Sequence, residues 1–329
     1  MSKTNALALA LTMIAGAAGS GHAAPSPPVQ PSTPGQLIDA LHSAFGTHPA
    51  RAVHAKGIIL EGTFAPDPHA SALTKAAHLQ KTPSKVTLRF SNFTGIPDIA
   101  DNDPGANPRG FAVRFTLLGG ATTDIVGHSF NGFPTATSDE FRALLLAIAA
   151  SGPTAAKPTA LDQFLAAHPI AKTFLTTQRT PASYATIAYF GVNSFQMTNA
   201  AGVSKLIRYQ FLPEEGEQTL TTDEAGQRGP MYLHEEIAAR VARRPFRFKV
   251  YAQVAASTDA IADPSIAWPD ARSKILLGTI TIDKLGANTP EQDKGLAFNP
   301  SHLPDGIKTA DPMLDFRSKA YPISVQHRQ

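Results

Sequence analysis

The chain contains no cysteine, which excludes disulfides and thiolate metal sites and leaves the fold to packing alone. Its net charge is only +3 over 329 residues, with no block of basic residues, so the electrostatic footprint of a nucleic-acid binder is missing. Long apolar runs are missing too. The longest candidate, residues 6–18, falls short of the roughly 20 residues that cross a bilayer. Lys3 precedes that stretch and the small residues Gly21, Ala23 and Ala24 follow it, the layout of a secretory signal. Residues 1–24 are therefore expected to be a signal peptide removed on export to the periplasm, and the proline-rich 25–34 a linker. Residues 35–329 are expected to form a single domain of about 300 residues, long enough for one large core.

What is present reads as a β-dominated α+β chain. Thr33-Pro34 opens a short helix with Leu37, Ile38, Leu41 and Phe45 on one face. Strand-like stretches lie near 55–65, 84–93, 110–118 and 124–130, then near 186–197, 203–212, 245–256 and 275–284. In the second of these, Val86, Leu88 and Phe90 alternate with Thr87, Arg89 and Ser91, the period of a half-buried strand. Between the two runs, Ser138 is expected to cap a helix carrying Phe141, Leu144, Leu145 and Ile148. Another helix reads at 232–243. Eight strands in two runs of four, without parallel crossovers, predict a closed eight-stranded antiparallel barrel with peripheral helices. A β-sandwich is the alternative on strand count alone.

Two segments carry chemistry. Near the end, Asp311-Pro312 reads as a helix start, with the aspartate as cap and proline in the first turn. Arg317 and Tyr321 then share a face of that helix, and Arg328 follows about two turns later. A phenol ionises near pH 10 unaided, and a guanidinium one turn away favours its anion. Near the start, His54 sits in Arg51-Ala-Val-His54-Ala-Lys-Gly57, a basic strand-like opening.

Together these segments resemble the distal and proximal haem motifs of the catalase family, whose haem is held by a tyrosinate. The resemblance extends through Val86-Thr-Leu-Arg-Phe-Ser91, Asn107-Pro-Arg109-Gly-Phe-Ala-Val-Arg114-Phe115, Asp124-Ile-Val-Gly-His128-Ser-Phe-Asn131-Gly-Phe133-Pro134 and Phe298-Asn-Pro-Ser-His-Leu-Pro-Asp-Gly-Ile307. It implies a C-terminal helix that ligates the iron of haem b through Tyr321, with Arg317 beside it. It implies His54 as the acid–base group that moves the peroxide proton, a task a neutral imidazole performs near neutral pH. Ser91 is implied as the support of that ring, Val53 and Phe133 as residues against the haem, and Arg51, Arg89 and Arg328 as partners of the haem carboxylates, which arginine pairs bidentately. Two departures stand out. His128 occupies the position where typical catalases carry a peroxide-steadying asparagine, with Asn131 as a possible substitute amide. Asn193 stands where they carry a histidine near the proximal arginine, while Asp311 matches the acidic partner.

Typical catalases also have a long N-terminal arm, a wrapping segment and a helical C-terminal domain, none of which fits this length. The chain therefore resembles the minimal, barrel-only branch, the catalase-related peroxidases. The function this implies is reduction of hydrogen peroxide or small organic hydroperoxides with a small organic reductant, alongside residual catalase activity. Two other readings stay open at this level: a hydroperoxide lyase like the catalase-type allene oxide synthases, and a non-catalytic haem carrier. Val53 argues against the first, which has threonine there, and His54 against the second.

Overall fold

The computed structural model describes residues 32–328. The expected signal peptide and nearly all of the expected linker lie outside them. The strands are β1 (Gly57–Pro66), β2 (Ser84–Ser91), β3 (Gly110–Thr116), β4 (Thr122–His128), β5 (Thr180–Pro181), β6 (Tyr189–Thr198), β7 (Ser204–Pro213), β8 (Thr219–Leu220), β9 (Phe246–Val254), β10 (Lys274–Leu285) and β11 (Ile307–Thr309). The helices are α1 (Pro34–Phe45), α2 (Ser138–Ala149), α3 (Ala160–Ala167), α4 (Pro169–Thr176), α5 (Thr222–Gly226), α6 (Tyr232–Arg243), α7 (Pro290–Gly295) and α8 (Pro312–His327).

Eight strands close a ring in the order β6-β4-β3-β2-β1-β10-β9-β7, with β7 returning to β6, and the barrel rather than the sandwich is the architecture. Every pairing in it is antiparallel. The seam is narrow at one point: β4 meets β6 only through His128 and Phe190. β11 adds to β6 outside the ring, and β5 with β8 makes a separate two-residue ribbon.

Alternation decides which side chains enter the barrel. Val86, Leu88 and Phe90 of β2 point inward and are buried. They meet a set of aromatics that fills the interior: Phe90 stacks on Tyr184 at 5.0 Å, and Phe111 lies 4.4 Å from Phe211. Such ring pairs add about 0.5–1.5 kcal/mol each beyond the area they bury. His78 is buried here as well, 5.0 Å from Phe115, with both ring nitrogens unpartnered. Burial pushes its pKa down to about 3.

A second core lies outside the barrel wall, where Leu37, Ile38 and Leu41 of α1 pack with Leu144 and Leu145 of α2 and with Ala320 of α8. Thr33 and Gln36 cap α1 reciprocally. Thr137, not Ser138, caps α2: its hydroxyl accepts from Glu140 N–H, and Ser138 is the first helical residue. Pro322 does not end α8, which runs on to His327; the packing of α1 along it offsets the donor that proline lacks. The short helices α3, α4, α5 and α7 escaped the sequence reading, although the capping boxes Thr159/Asp162 and Thr221/Glu224 mark two of them. Among the described residues no helix is long and apolar enough to cross a membrane.

Candidate active site

A cavity of about 220 Å³ opens between the outer face of the barrel wall and helices α1, α2 and α8. Its sheet side is set by register. Gly57, Ser91, Gly110, His128 and Phe190 lie opposite one another in a single row across β1, β2, β3, β4 and β6. Residues in one row share a face, so Ser91 and His128 flank Gly110 on the cavity side. A methyl group at Gly110 would overlap the Ser91 hydroxyl and come within 2.6 Å of His54 Nδ1. The bare glycine is what lets the His54 ring lie against the sheet.

His54 itself belongs to no strand. Its backbone has φ of 59°, a left-handed conformation that costs a non-glycine residue about 1–2 kcal/mol. Its N–H donates to Phe93 O at 2.9 Å, which holds the chain there. The imidazole Nδ1 lies 3.2 Å from Asn92 O and 3.1 Å from Ser91 Oγ. A carbonyl can only accept, so the proton resides on Nδ1 and Nε2 keeps its lone pair. Burial, followed by the Arg89 charge, lowers the His54 pKa to about 3, and the ring stays neutral at physiological pH.

His128 is assigned the opposite tautomer. Phe130 N–H donates to its Nδ1 at 3.4 Å, so Nε2 carries the proton, and that atom is buried without a partner. Burial, then His54, pushes this pKa down to about 3 as well. The cavity is thus lined by one neutral imidazole presenting a base and another presenting a donor. Phe133 and Val53 line it too. Asn131 does not: it lies beyond the end of β4 and is absent from the cavity wall, so the substitute amide expected from the sequence is not brought to the site.

The opposite wall is α8. Asp311 caps it by accepting from Met313 N–H at 2.8 Å. Arg317 and Tyr321 share the expected face, and Arg317 Nη2 donates to the Tyr321 oxygen at 2.7 Å. Asn193 extends this chain backward, accepting from Arg317 Nη1 at 2.8 Å and donating to Asp311 Oδ2 at 2.6 Å. Asp311 therefore reaches the arginine only through the Asn193 amide. Burial raises the Asp311 pKa, against the lowering effect of that amide bond.

At one end of the cavity three arginines converge from distant parts of the chain. Arg89 donates to His54 O and Ala55 O, both at 2.9 Å, and through Nε to Asp293 Oδ1 at 2.8 Å. Arg51 donates to Asp293 Oδ2, to Asp293 O at 2.8 Å and to Leu296 O at 2.6 Å. Arg328 donates to Leu296 O at 3.3 Å, while its buried Nε has no partner. Asp293, on the six-residue α7, is the member of this cluster that the sequence reading missed. Nothing in local periodicity marks it; its partners are 242 and 204 residues away.

The amino-acid sequence from residue 37 to 329 matches the family model described as Catalase. The chain belongs to the catalase family. Within that family it is similar to the catalase-related peroxidases of Mycolicibacterium paratuberculosis, 36% identical over 90% of this chain and 95% of that one, and of Synechococcus elongatus, 30% identical over 90% and 88%. Mouse catalase is 28% identical, but the match covers 85% of this chain and only 56% of the mouse protein. The fold agrees: a fungal catalase superposes with a TM-score of 0.76 over 85% of this chain and 60% of its own, at 21% identity. As a catalase-family protein that spans most of the length of these two related peroxidases, the chain is an oxidoreductase, and haem is the cofactor its family implies.

The cavity fits that group on its own chemistry. Apolar side chains of α1 line its flank, three guanidiniums gather at one end, and two buried donors, Arg328 Nε and His128 Nε2, face it without protein partners. A flat apolar group bearing carboxylates at one edge is what such a donor set accommodates.

Proposed function

We propose that this protein is a haem b peroxidase that reduces hydrogen peroxide at the expense of a small organic donor, with Tyr321 as the protein ligand of the iron. The observation that carries the reading is the placement of His54 and His128, whose hydrogen bonds assign them opposite tautomers, across one cavity from a tyrosine paired with arginine. Haem, when bound, would supply a Lewis-acidic iron and the two electrons that cleavage of the peroxide O–O bond requires. The protein's own residues do the rest. His54 Nε2 removes the proton from the oxygen that binds and returns it to the oxygen that leaves, so that water departs with no net proton uptake at the imidazole. Nδ1–H, held by Asn92 O, keeps the ring facing the same way in both transfers. His128 Nε2–H donates to the bound peroxide and fixes its orientation, the role that fits an unpartnered donor in an otherwise apolar pocket.

Arg317 donates to the Tyr321 oxygen and so favours its anion as a ligand. Arg51, Arg89 and Arg328 hold the carboxylates. The carrier reading requires no group of the His54 kind; unlike His78, which is sealed inside the barrel, His54 lines the cavity opposite Tyr321. Residual disproportionation of peroxide, without a donor, belongs to the same proposal.

Mixing the haem-loaded protein with hydrogen peroxide in a stopped-flow spectrometer, with and without an aromatic donor, tests this. The Soret band should change within the mixing experiment and recover several-fold faster when the donor is present. A band that does not respond to peroxide would sink the enzymatic reading. Recovery at one rate regardless of donor would replace peroxidase by catalase chemistry.

A further inference from the structure

The arginine cluster holds a charge imbalance that no other part of the site explains. Arg51, Arg89 and Arg328 contribute three positive charges, and among the described residues Asp293 is the one carboxylate that pairs with them. It bridges Arg51 and Arg89, and no carboxylate of the described residues pairs with Arg328. The imbalance is felt: burial and then the Arg89 charge drive the Arg51 pKa down to about 9. Burial pushes the Asp293 carboxyl up, but Arg89 and Arg51 outweigh it and hold it below the usual carboxylate range.

Asp293 is also deliberately placed. Asn288, two residues before α7 and with φ of 52°, accepts from Ile59 N–H at 2.7 Å and donates to Ile59 O at 2.9 Å. That pins the start of the segment to β1. At its far end Arg114 donates to Ala297 O, and Asn299 N–H donates to the buried Asp124 at 2.9 Å. The stretch from 286 to 299 is thus a strap tied to the barrel at both ends, with Asp293 between the ties.

We propose that Asp293 is a place-holder anion, which keeps the propionate-binding arginines assembled and the cavity open while the protein is without haem. The proposal rests on the haem reading above. In the haem-free protein, removing this half-buried carboxylate leaves three clustered, largely buried guanidiniums uncompensated, the expensive way to break an ion pair. In the loaded protein two propionates supply the negative charge, so the same removal costs little. The arginines keep N–H groups to spare for this: each retains at least one unspent donor beside its bonds to Asp293 and the strap carbonyls. By thermodynamic linkage, a change that weakens the empty state more than the loaded one tightens haem binding.

Asp293→Asn, which keeps the shape and removes the charge, distinguishes this from an ordinary ion pair. The thermal midpoint of the haem-free protein should fall by about 5 °C, and that of the haem-loaded protein by less than about 2 °C. Transfer of haem to apomyoglobin should be no faster than from wild type. Sulfate, a small dianion, should narrow the gap between variant and wild type in the haem-free form and leave it unchanged in the loaded form. Equal losses in both forms would overturn the proposal and make Asp293 a plain structural residue. Faster haem loss with an unchanged haem-free midpoint would overturn it too, placing Asp293 in the loaded site. Either failure leaves the peroxide response of the wild-type protein, and so the function reading, untouched.

Discussion

The two walls of the cavity are built on opposite plans. The α8 wall takes Asp311, Arg317, Tyr321 and Arg328 from one short stretch of chain, placed by helical spacing. The sheet wall takes Ser91, Gly110 and His128 from three strands, placed by register, and adds His54 from a loop in a left-handed conformation. The helix wall carries a polar chain, Asp311 to Asn193 to Arg317 to Tyr321, whose one member from elsewhere is Asn193 of β6, leading to a single oxygen. The other is non-local and holds two neutral imidazoles by burial. On the proposed reading the difference teaches a division of labour: the iron is held from the helix and protons are handled from the sheet, while the carboxylate-binding arginines come from both.

The sharpest way to break that division is His54→Ala. The peroxide step should slow by about 10²–10⁴-fold, the usual scale for losing a positioned acid–base group, with haem retention changed by less than about threefold. Stopped-flow mixing reads the first and haem transfer to apomyoglobin the second. A rate equal to wild type would leave the sheet wall without its assigned task. Next comes Tyr321→Phe on the other wall. Haem affinity should fall by more than about 100-fold, above the 10–100-fold that loss of a supporting residue costs, and the ferric absorption spectrum should change. An unaltered spectrum in the phenylalanine protein would remove Tyr321 as ligand.

A third measurement sharpens the comparison through pH. His54 and His128 in the sheet wall, and His78 inside the barrel, have pKa values near 3, against an ordinary 6.5. Between those values the unfolded chain binds more protons, so stability is full above pH 6.5 and falls as the pH drops toward 3. Each ring contributes about 1.4 kcal/mol per pH unit inside that window. Denaturant unfolding of the haem-free protein at pH 5 and pH 7 should show the loss, and His54→Ala should reduce its slope by about a third. An unchanged slope would mean that His54 is not held neutral.

The same contrast explains what the sequence made legible. Arg317 and Tyr321 could be placed on one face because four residues make one helical turn, and the alternation around Val86 to Ser91 put Arg89 and Ser91 together. Eight strand-like stretches favoured the barrel, and the return of β7 to β6 decided it over the sandwich. What escaped was whatever depends on which strands meet. The row that sets His128 beside Gly110 and Ser91 is a product of pairing, and Asn131 could not be excluded until the end of β4 was known. Asn193 was noticed only as a departure; its place between Asp311 and Arg317 needs β6 and α8 in contact. Asp293 was invisible, since a six-residue helix has too little period to read and its partners lie far away in the chain.

The glycine-to-phenylalanine alternation at the start of β3 gives the site a second meaning. Phe111 follows Gly110 and belongs to the barrel interior. Sliding β3 by one residue against β2 would put an aromatic ring where His54 lies and expose the interior of the barrel to the cavity. A molecule with that error would have no room for its own histidine. The row that sets Ser91 and His128 beside His54 is therefore also the row that distinguishes the correct pairing of β2 with β3 from a slipped one.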